Sequence, residues 1–263
     1  MNFFRKIRAF FKSLFVQAKP NRTTEPDRIV KEPDFGFIPV FFFIVGHNTY
    51  AKGTRNEVNS EYEYDFSFRI GDKFNDFMDI LCPKIPTFKL LRPVGKYGRQ
   101  VSAIRKAIKK ITGGMRSYAL NSHFNAGGGS GNENLVAKGS KDNFDDLFAD
   151  KLSDVLEVCL GIPQRRKDGV YEITEKHNGG GMLSGMRSAN CIGTIVEPTW
   201  KRDFPESRMI FKHEDRYVQI LAETVTVIYL MRGFIKKTDI KKPLRYWNIS
   251  GEKPVPNINA KAY

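Results

Sequence analysis

The sequence predicts an α/β domain built on a twisted, mostly parallel central sheet flanked by helices. Three observations predict it. Short apolar runs alternate with longer segments of helical periodicity. Several of the runs are apolar throughout, as in "FIPVFFFIVGHN" (37–48), which suits strands buried in a sheet. Three of them end in polar, potentially reactive groups, the pattern of the carboxyl edge of an α/β sheet, where ligands bind. A chain of 263 residues has room for one such domain with a substantial core.

The elements follow in order. In "MNFFRKIRAFFKSLF" the apolar residues Phe3, Phe4, Ile7, Phe10, Phe11, Leu14 and Phe15 recur at helical spacing, with basic residues largely opposite. Residues 1–18 are therefore read as a basic amphipathic helix suited to an anionic surface. Residues 19–35, with Pro20 and Pro26, read as a linker. The domain proper spans 36–235. Its first strand ends in Gly46-His47-Asn48. Ser60–Leu81 has helical spacing, with Ser60 and Glu63 in capping-box relation. A strand over 88–94 precedes a basic helix over 98–111, whose apolar face is Val101, Ile104, Ile108 and Ile111. A strand over 118–124 ends at His123, and a short one over 134–138 follows. A helix spans 143–160. The polar, glycine-rich stretch 164–190 reads as a loop. Cys191–Pro198 is a strand ending in Glu197, and 215–235 is a long helix. Residues 236–263 read as an extended basic tail.

Net charge is +14, and the two ends, 1–19 and 232–263, carry 11 of these charges. This points to an anionic partner. The near-neutral middle argues against nucleic acid as that partner. Cys82, Cys159 and Cys191 are widely spaced in apolar runs and imply buried free thiols rather than disulfides or a CxxC zinc pattern. No apolar run approaches the roughly 18 residues of a membrane span. Arg8 and Lys12 interrupt the N-terminal apolar residues and no cleavage site follows, so no cleavable signal is expected.

The three strand-end groups are His47, His123 and Glu197. If their strands are parallel neighbours, they converge on one edge. Glu61 and Glu63 open the following helix, and a return loop can bring one of them to His47. Two imidazoles and a carboxylate are a catalytic zinc set with a fourth position open. A second carboxylate can take a proton from a bound water. His47, Glu61 and His123 are the expected ligands, with Glu63 the alternative, and Glu197 is the expected base.

These pieces resemble, in family order, the zinc-dependent N-acetylmuramoyl-L-alanine amidases of the type 3 amidase family, in particular the phage-lysin-like branch. "IVGHN" resembles the first ligand motif and "GTRNEVNSEYEYDFSFRI" the glutamate-bearing helix start. "LNSHFNA" resembles the second histidine motif and "GGGMLSGMRSANCIGTIVEPTW" the segment that delivers the catalytic glutamate. The resemblance covers roughly 37–234. It departs at Asn48, where many members have glycine, and at Asn190-Cys191, where a proline is usual. The spacing to Tyr64-Asp65-Phe66 selects Glu61 over Glu63. The resemblance implies a phosphorylase/hydrolase-like fold, Zn2+ as cofactor, and hydrolysis of the amide between N-acetylmuramic acid and the L-alanine of the stem peptide. Asn125 and Arg187 are the expected substrate contacts. The implied setting is a protein made in the cytoplasm that acts, endolysin-like, at the bacterial cell wall or periplasm, with its basic ends (1–18 and 236–263) on an anionic membrane or wall polymer. Two competing readings are a zinc carboxypeptidase-like peptidase, which would need Arg99 or Arg187 for a substrate carboxylate, and a non-catalytic basic membrane- or wall-binding protein.

Overall fold

Six consecutive apolar residues, Val40–Val45, form strand β1. Alternation along the strand sends Phe41, Phe43 and Val45 to one face and Phe42 and Ile44 to the other, and all five are fully buried. A segment apolar on both faces belongs in the middle of a sheet, and β1 lies there. In this computed structural model the described residues are 36–125, 130–139, 144–165, 169–199, 202–251 and 253–255. The expected helix over 1–18, the linker 19–35 and the glycines 127–129 lie outside them.

The other strands are β2 (Thr87–Leu90), β3 (Ser117–Ser122), β4 (Glu133–Ala137), β5 (Val170–Ile173) and β6 (Cys191–Glu197). The sheet order is β2-β1-β3-β6-β4-β5. β2, β1, β3 and β6 are mutually parallel, while β4 runs antiparallel to β6 and pairs in parallel with β5. The carboxyl ends of β1, β3 and β6 therefore meet the amino end of β4 at one edge.

Helices cover both faces. The larger core joins Phe41, Phe43 and Val45 to α1 (Glu63–Leu81), α3 (Phe144–Leu160) and α6 (Glu214–Met231). The smaller core joins Phe42 and Ile44 to α2 (Tyr97–Thr112) and α4 (Gly180–Arg187). Ile104 and Ile108 of α2 are buried, as its periodicity predicts, but Ile111 at its end is exposed. All three cysteines are free and buried. Among the described residues, no helix is long and apolar enough to cross a membrane.

Four expectations are corrected. The 164–190 loop contains β5 and α4, and α5 (Pro205–Lys212) precedes α6. These elements are 4 to 8 residues long, too short for periodicity to reveal. The capping box at Ser60 does not form. Ser60 has φ of 62°, the helix begins at Glu63, and its N-cap is Tyr62. Within the described residues, 237–251 do not form a free tail. Tyr246 and Trp247 are buried in the larger core. Glu223 of α6 accepts the backbone N–H groups of Arg245 and Tyr246, and Lys151 donates to the carbonyl of Gly251 at 2.6 Å. Finally, β4 lies antiparallel in the sheet, which decides what stands beside Glu197.

Candidate metal centre and catalytic carboxylate

The site is assembled by three chain segments at the carboxyl edge. The first is the turn after β1. Gly46 lies so close to β3 that a Cβ there would meet the Ser122 carbonyl oxygen at 2.2 Å. His47 follows with φ of 63°, a left-handed conformation uncommon for a residue with a side chain. Buried Asn48 holds the turn by accepting the N–H groups of Tyr50 and Ala51 at 3.0 and 2.9 Å.

The second segment returns from that loop into α1. Arg55 and Tyr62 form an antiparallel bridge, and the Glu63 N–H donates to the Thr54 carbonyl at 2.9 Å. This pins Glu63 as the first residue of α1, with its carboxylate turned inward and almost fully buried. The third segment is the end of β3, where the His123 N–H donates to the Val196 carbonyl at 2.9 Å.

Glu63 joins the two histidines. Its Oε1 lies 2.7 Å from His123 Nδ1 and accepts the Phe124 N–H at 2.9 Å. Its Oε2 lies 3.1 Å from His47 Nε2 and accepts the Thr54 N–H at 3.1 Å. One ligand-capable atom from each of His47, Glu63 and His123 lies within 4.8 Å of the others. Burial acts to raise the Glu63 pKa, but the hydrogen bonds and charges of His123 and His47 outweigh it and hold the carboxyl well below its usual range. Burial, opposed by the Glu63 hydrogen bond and helped by the Arg92 charge, lowers His123 to about 4.

Arg92, just after β2, sets the His123 tautomer. Its Nη2 lies 2.7 Å from His123 Nε2 and donates to Asn121 Oδ1 at 3.1 Å. A guanidinium only donates, so in the ion-free cluster Nε2 accepts and Nδ1 carries a proton toward Glu63, and that proton must leave before Nδ1 can ligate a cation. Nδ1 is therefore the nitrogen that faces the cluster.

Glu197 ends β6 directly beside this group and is paired across the ladder with Glu133, the first residue of β4. Directly opposed residues of an antiparallel pair place their side chains on the same face. Glu133 is buried. Its Oε2 accepts from Asn125 Nδ2 at 2.7 Å and from Arg165 Nη1 at 2.6 Å. Burial, then the charges of Glu133 and Glu63, push Glu197 well above the usual carboxylate range, against the pull of Arg165. The cluster thus has an ionised carboxylate between two imidazoles, with a carboxyl of raised proton affinity beside it. A fixed anion with two nitrogen donors fits a divalent cation.

The sequence matches no family model and no curated protein. Solved structures do match. The CwlD amidase from Clostridioides difficile, solved in complex with the GerS lipoprotein, superposes with a TM-score of 0.53 at 13% identity, over 74% of this chain and 98% of that one. The catalytic domain of CwlV, an N-acetylmuramoyl-L-alanine amidase from Bacillus (Paenibacillus) polymyxa var. colistinus, gives 0.52 at 14% identity, over 72% and 96%. An N-acetylmuramoyl-L-alanine amidase from Clostridium difficile 630 gives 0.51 at 16% identity, over 73% and 96%. The fold is that of the N-acetylmuramoyl-L-alanine amidases. These identities are low, so the likeness is one of architecture.

On this amidase fold the expected residues separate. His47, His123 and Glu197 do converge, because β1, β3 and β6 are parallel neighbours. Glu61 is outside the cluster. It pairs with Arg69, which also holds Glu214 at 2.6 Å, so Glu61 belongs to an ion-pair network joining α1 to α6. Glu63, the alternative, stands with His47 and His123 in the place expected of Glu61. Arg187 is at the wrong edge. It ends α4 before β6 begins, and its Nη2 donates to the carbonyl of Ala137, the residue that ends the antiparallel β4. It therefore lies at the edge opposite the cluster. Asn125 is at the site, but it holds Glu133. His177 caps a turn by accepting the Thr174 N–H at 3.1 Å. Glu133, Arg92 and Arg165 escaped the sequence reading. The one signal for Glu133 was an acid opening an otherwise apolar strand.

Proposed function

We propose that the chain is a zinc-dependent peptidoglycan hydrolase that cleaves the amide between N-acetylmuramic acid and L-alanine of the stem peptide. The observation that carries this reading is the His47–Glu63–His123 cluster with Glu197 beside it, at the carboxyl edge of an amidase fold. His47, Glu63 and His123 would hold the ion. When bound it would supply a Lewis acid and lower the pKa of a bound water toward about 7.

The chain's own residues do the rest. Arg92 fixes the His123 ring so that Nδ1 faces the cluster. Thr54 and Phe124 hold the Glu63 carboxylate through their N–H groups. Glu197, buried beside Glu133, has a proton affinity raised above that of an ordinary carboxylate, which suits a group that accepts a proton from water and returns it to the leaving amine. Asn125 and Arg165 hold Glu133 in place. Placement of Arg187 at the far edge removes one of the two arginines, Arg99 and Arg187, on which the carboxypeptidase alternative depends.

The test combines metal analysis with mass spectrometry of digested peptidoglycan. One zinc per chain and products ending in free muramic acid lactyl groups and N-terminal alanine are expected. Glu197→Gln should keep the metal and lower turnover by about 10²–10⁴-fold. Cleavage between two amino acids, or undiminished hydrolysis by Glu197→Gln, refutes the assignment. We further propose that the protein acts at the bacterial wall and that residues 1–18 assist it there. Deleting them should reduce lysis of whole cells and spare hydrolysis of isolated peptidoglycan; equal loss on both substrates would count against that role.

A further inference from the structure

Residues 80–132 contain ten Lys and Arg and no Asp or Glu. Half of these cations lie on α2: Arg99, Arg105, Lys106, Lys109 and Lys110, with Lys96 as its N-cap. All six are exposed, and none has an ion-pair partner among the described residues. At about 100° per residue, the five helical cations fall within an arc of about 140°, opposite buried Ile104 and Ile108. They form a ridge about 16 Å long between Arg99 and Lys110. Arg105 faces Lys109, and Lys106 faces Lys110, at i,i+4, where like charges disfavour the helix.

Several cations elsewhere in the domain are matched by acids. Arg69 and Lys73 of α1 are matched by Glu61, Glu214 and Asp215, Lys52 by Asp65, Lys84 by Asp239, and Lys89 by Asp72. The near-neutral middle of the sequence therefore conceals one unbalanced face.

A second feature adjoins the ridge. A cleft of about 440 Å³ opens at the C-terminal end of α2, lined by Lys109, Gly113, Gly114, Ser188, Ala189 and Asn190. Gly113 and Gly114 both have positive φ, 64° and 84°, and nothing lies within 4 Å of where their Cβ atoms would stand. A ligand can thus approach this backbone closely. The cleft precedes β3 and β6 and so lies at the edge opposite His47 and His123.

We propose that this face, α2 together with the cleft at its end, binds a linear phosphodiester polymer of the bacterial cell wall, a polyol phosphate chain. Unbalanced cations in a row match a chain of evenly spaced anions, and neutralising each phosphate releases counterions. A lipid bilayer fits less well, because Ile104 and Ile108 of α2 are buried in the domain and Ile111 is the one exposed large aliphatic side chain of the helix. Nucleic acid fits less well, because Tyr97 at the start of α2 is the one aromatic residue from Lys96 to Arg116, too few for successive bases to stack. The choice of a wall polymer among phosphodiester chains rests on the reading of the site as a wall hydrolase; the binding of a polyanion does not.

The test titrates the full chain with soluble poly(glycerol phosphate) between 50 and 200 mM salt, comparing wild type with Arg105→Gln/Lys106→Gln/Lys109→Gln/Lys110→Gln. The variant should bind at least tenfold more weakly at the upper salt. Its slope of log affinity against log salt should be shallower by about 3, on a single-strand value of about 0.7 per cation. Lys106→Gln/Lys110→Gln should give about half that change and guards against a folding defect in the fuller variant. Unchanged affinity and slope in both variants overturn the proposal. So does wild-type binding to phosphatidylglycerol vesicles, or to single-stranded DNA, as tight as to the polymer at equal phosphate. Hydrolysis of polymer-free peptidoglycan fragments, measured in parallel, should be the same in all three proteins. If none of them hydrolyses while binding still discriminates, the catalytic reading fails and the surface stands.

Discussion

Gly53 is the most exacting test of the metal centre, because the structure separates its two demands. Its φ is +76°, and a Cβ there would lie 2.5 Å from His47 Cδ2, 2.6 Å from Glu63 Oε2 and 2.7 Å from His47 Nε2. Gly161 supplies the control, with φ of +66° and nothing within 4 Å. Alanine at either position adopts a left-handed conformation at a cost of about 1–2 kcal/mol. Only Gly53→Ala also intrudes on the cluster. Ordinary contact begins at 3.4 Å, so the His47 ring and the Glu63 carboxylate must each retreat by about 0.8–0.9 Å. Metal sites tolerate ligand displacements of about 0.2 Å. Gly53→Ala should therefore lose about 10–100-fold in zinc affinity, while Gly161→Ala keeps wild-type affinity and loses only the strain energy in stability. Zinc affinity is read by competition with a chromophoric chelator and stability by urea unfolding in excess chelator. Equal zinc affinity in Gly53→Ala and Gly161→Ala would falsify the placement of His47 and Glu63 as ligands.

Two further predictions concern the same cluster. Glu63→Gln should abolish stoichiometric zinc binding, whereas Glu61→Gln should keep it and cost about 1 kcal/mol or less, since its ion pair with Arg69 is partly exposed; metal analysis of both purified variants decides. Metal-free protein should also lose stability on acidification. Between about pH 4, the folded value for His123, and 6.5, its ordinary value, the unfolded chain takes up a proton that the folded chain refuses. Stability therefore rises with pH through this window by up to about 3 kcal/mol. Glu63 acts in the same sense at lower pH, because its depressed pKa contributes stability above the ordinary carboxyl value that is lost as pH falls. Glu197, shifted upward, acts in the opposite sense, so the readout is the difference in urea-unfolding free energy between wild type and His123→Asn across pH 4–6.5. A difference independent of pH would show that His123 is not buried as a neutral imidazole.

The sheet and the histidines were legible in the sequence because both depend on local pattern. A run such as Phe41–Val45, apolar on both faces, can only lie inside a sheet, and the polar residue that ends it must emerge at an edge. That pattern by itself brings His47, His123 and Glu197 to one edge. The choice between Glu61 and Glu63 was not local. Two acids two residues apart are equivalent until the start of the helix is known, and the bridge between Arg55 and Tyr62 with the bond from Glu63 to Thr54 sets that start. Sequence order likewise put Arg187 close before Glu197, but the antiparallel entry of β4 places the carbonyl it binds at the opposite edge. The same reversal brings Glu133 against Glu197 and raises the proton affinity of the candidate base. By itself, then, the sequence determined which strands are buried and which polar groups end them, since burial follows from side-chain chemistry at a two-residue period. Only the tertiary structure decided which carboxylate faces the histidines and which stands beside Glu197, because strand direction and helix start are settled by hydrogen bonds between segments distant in the chain.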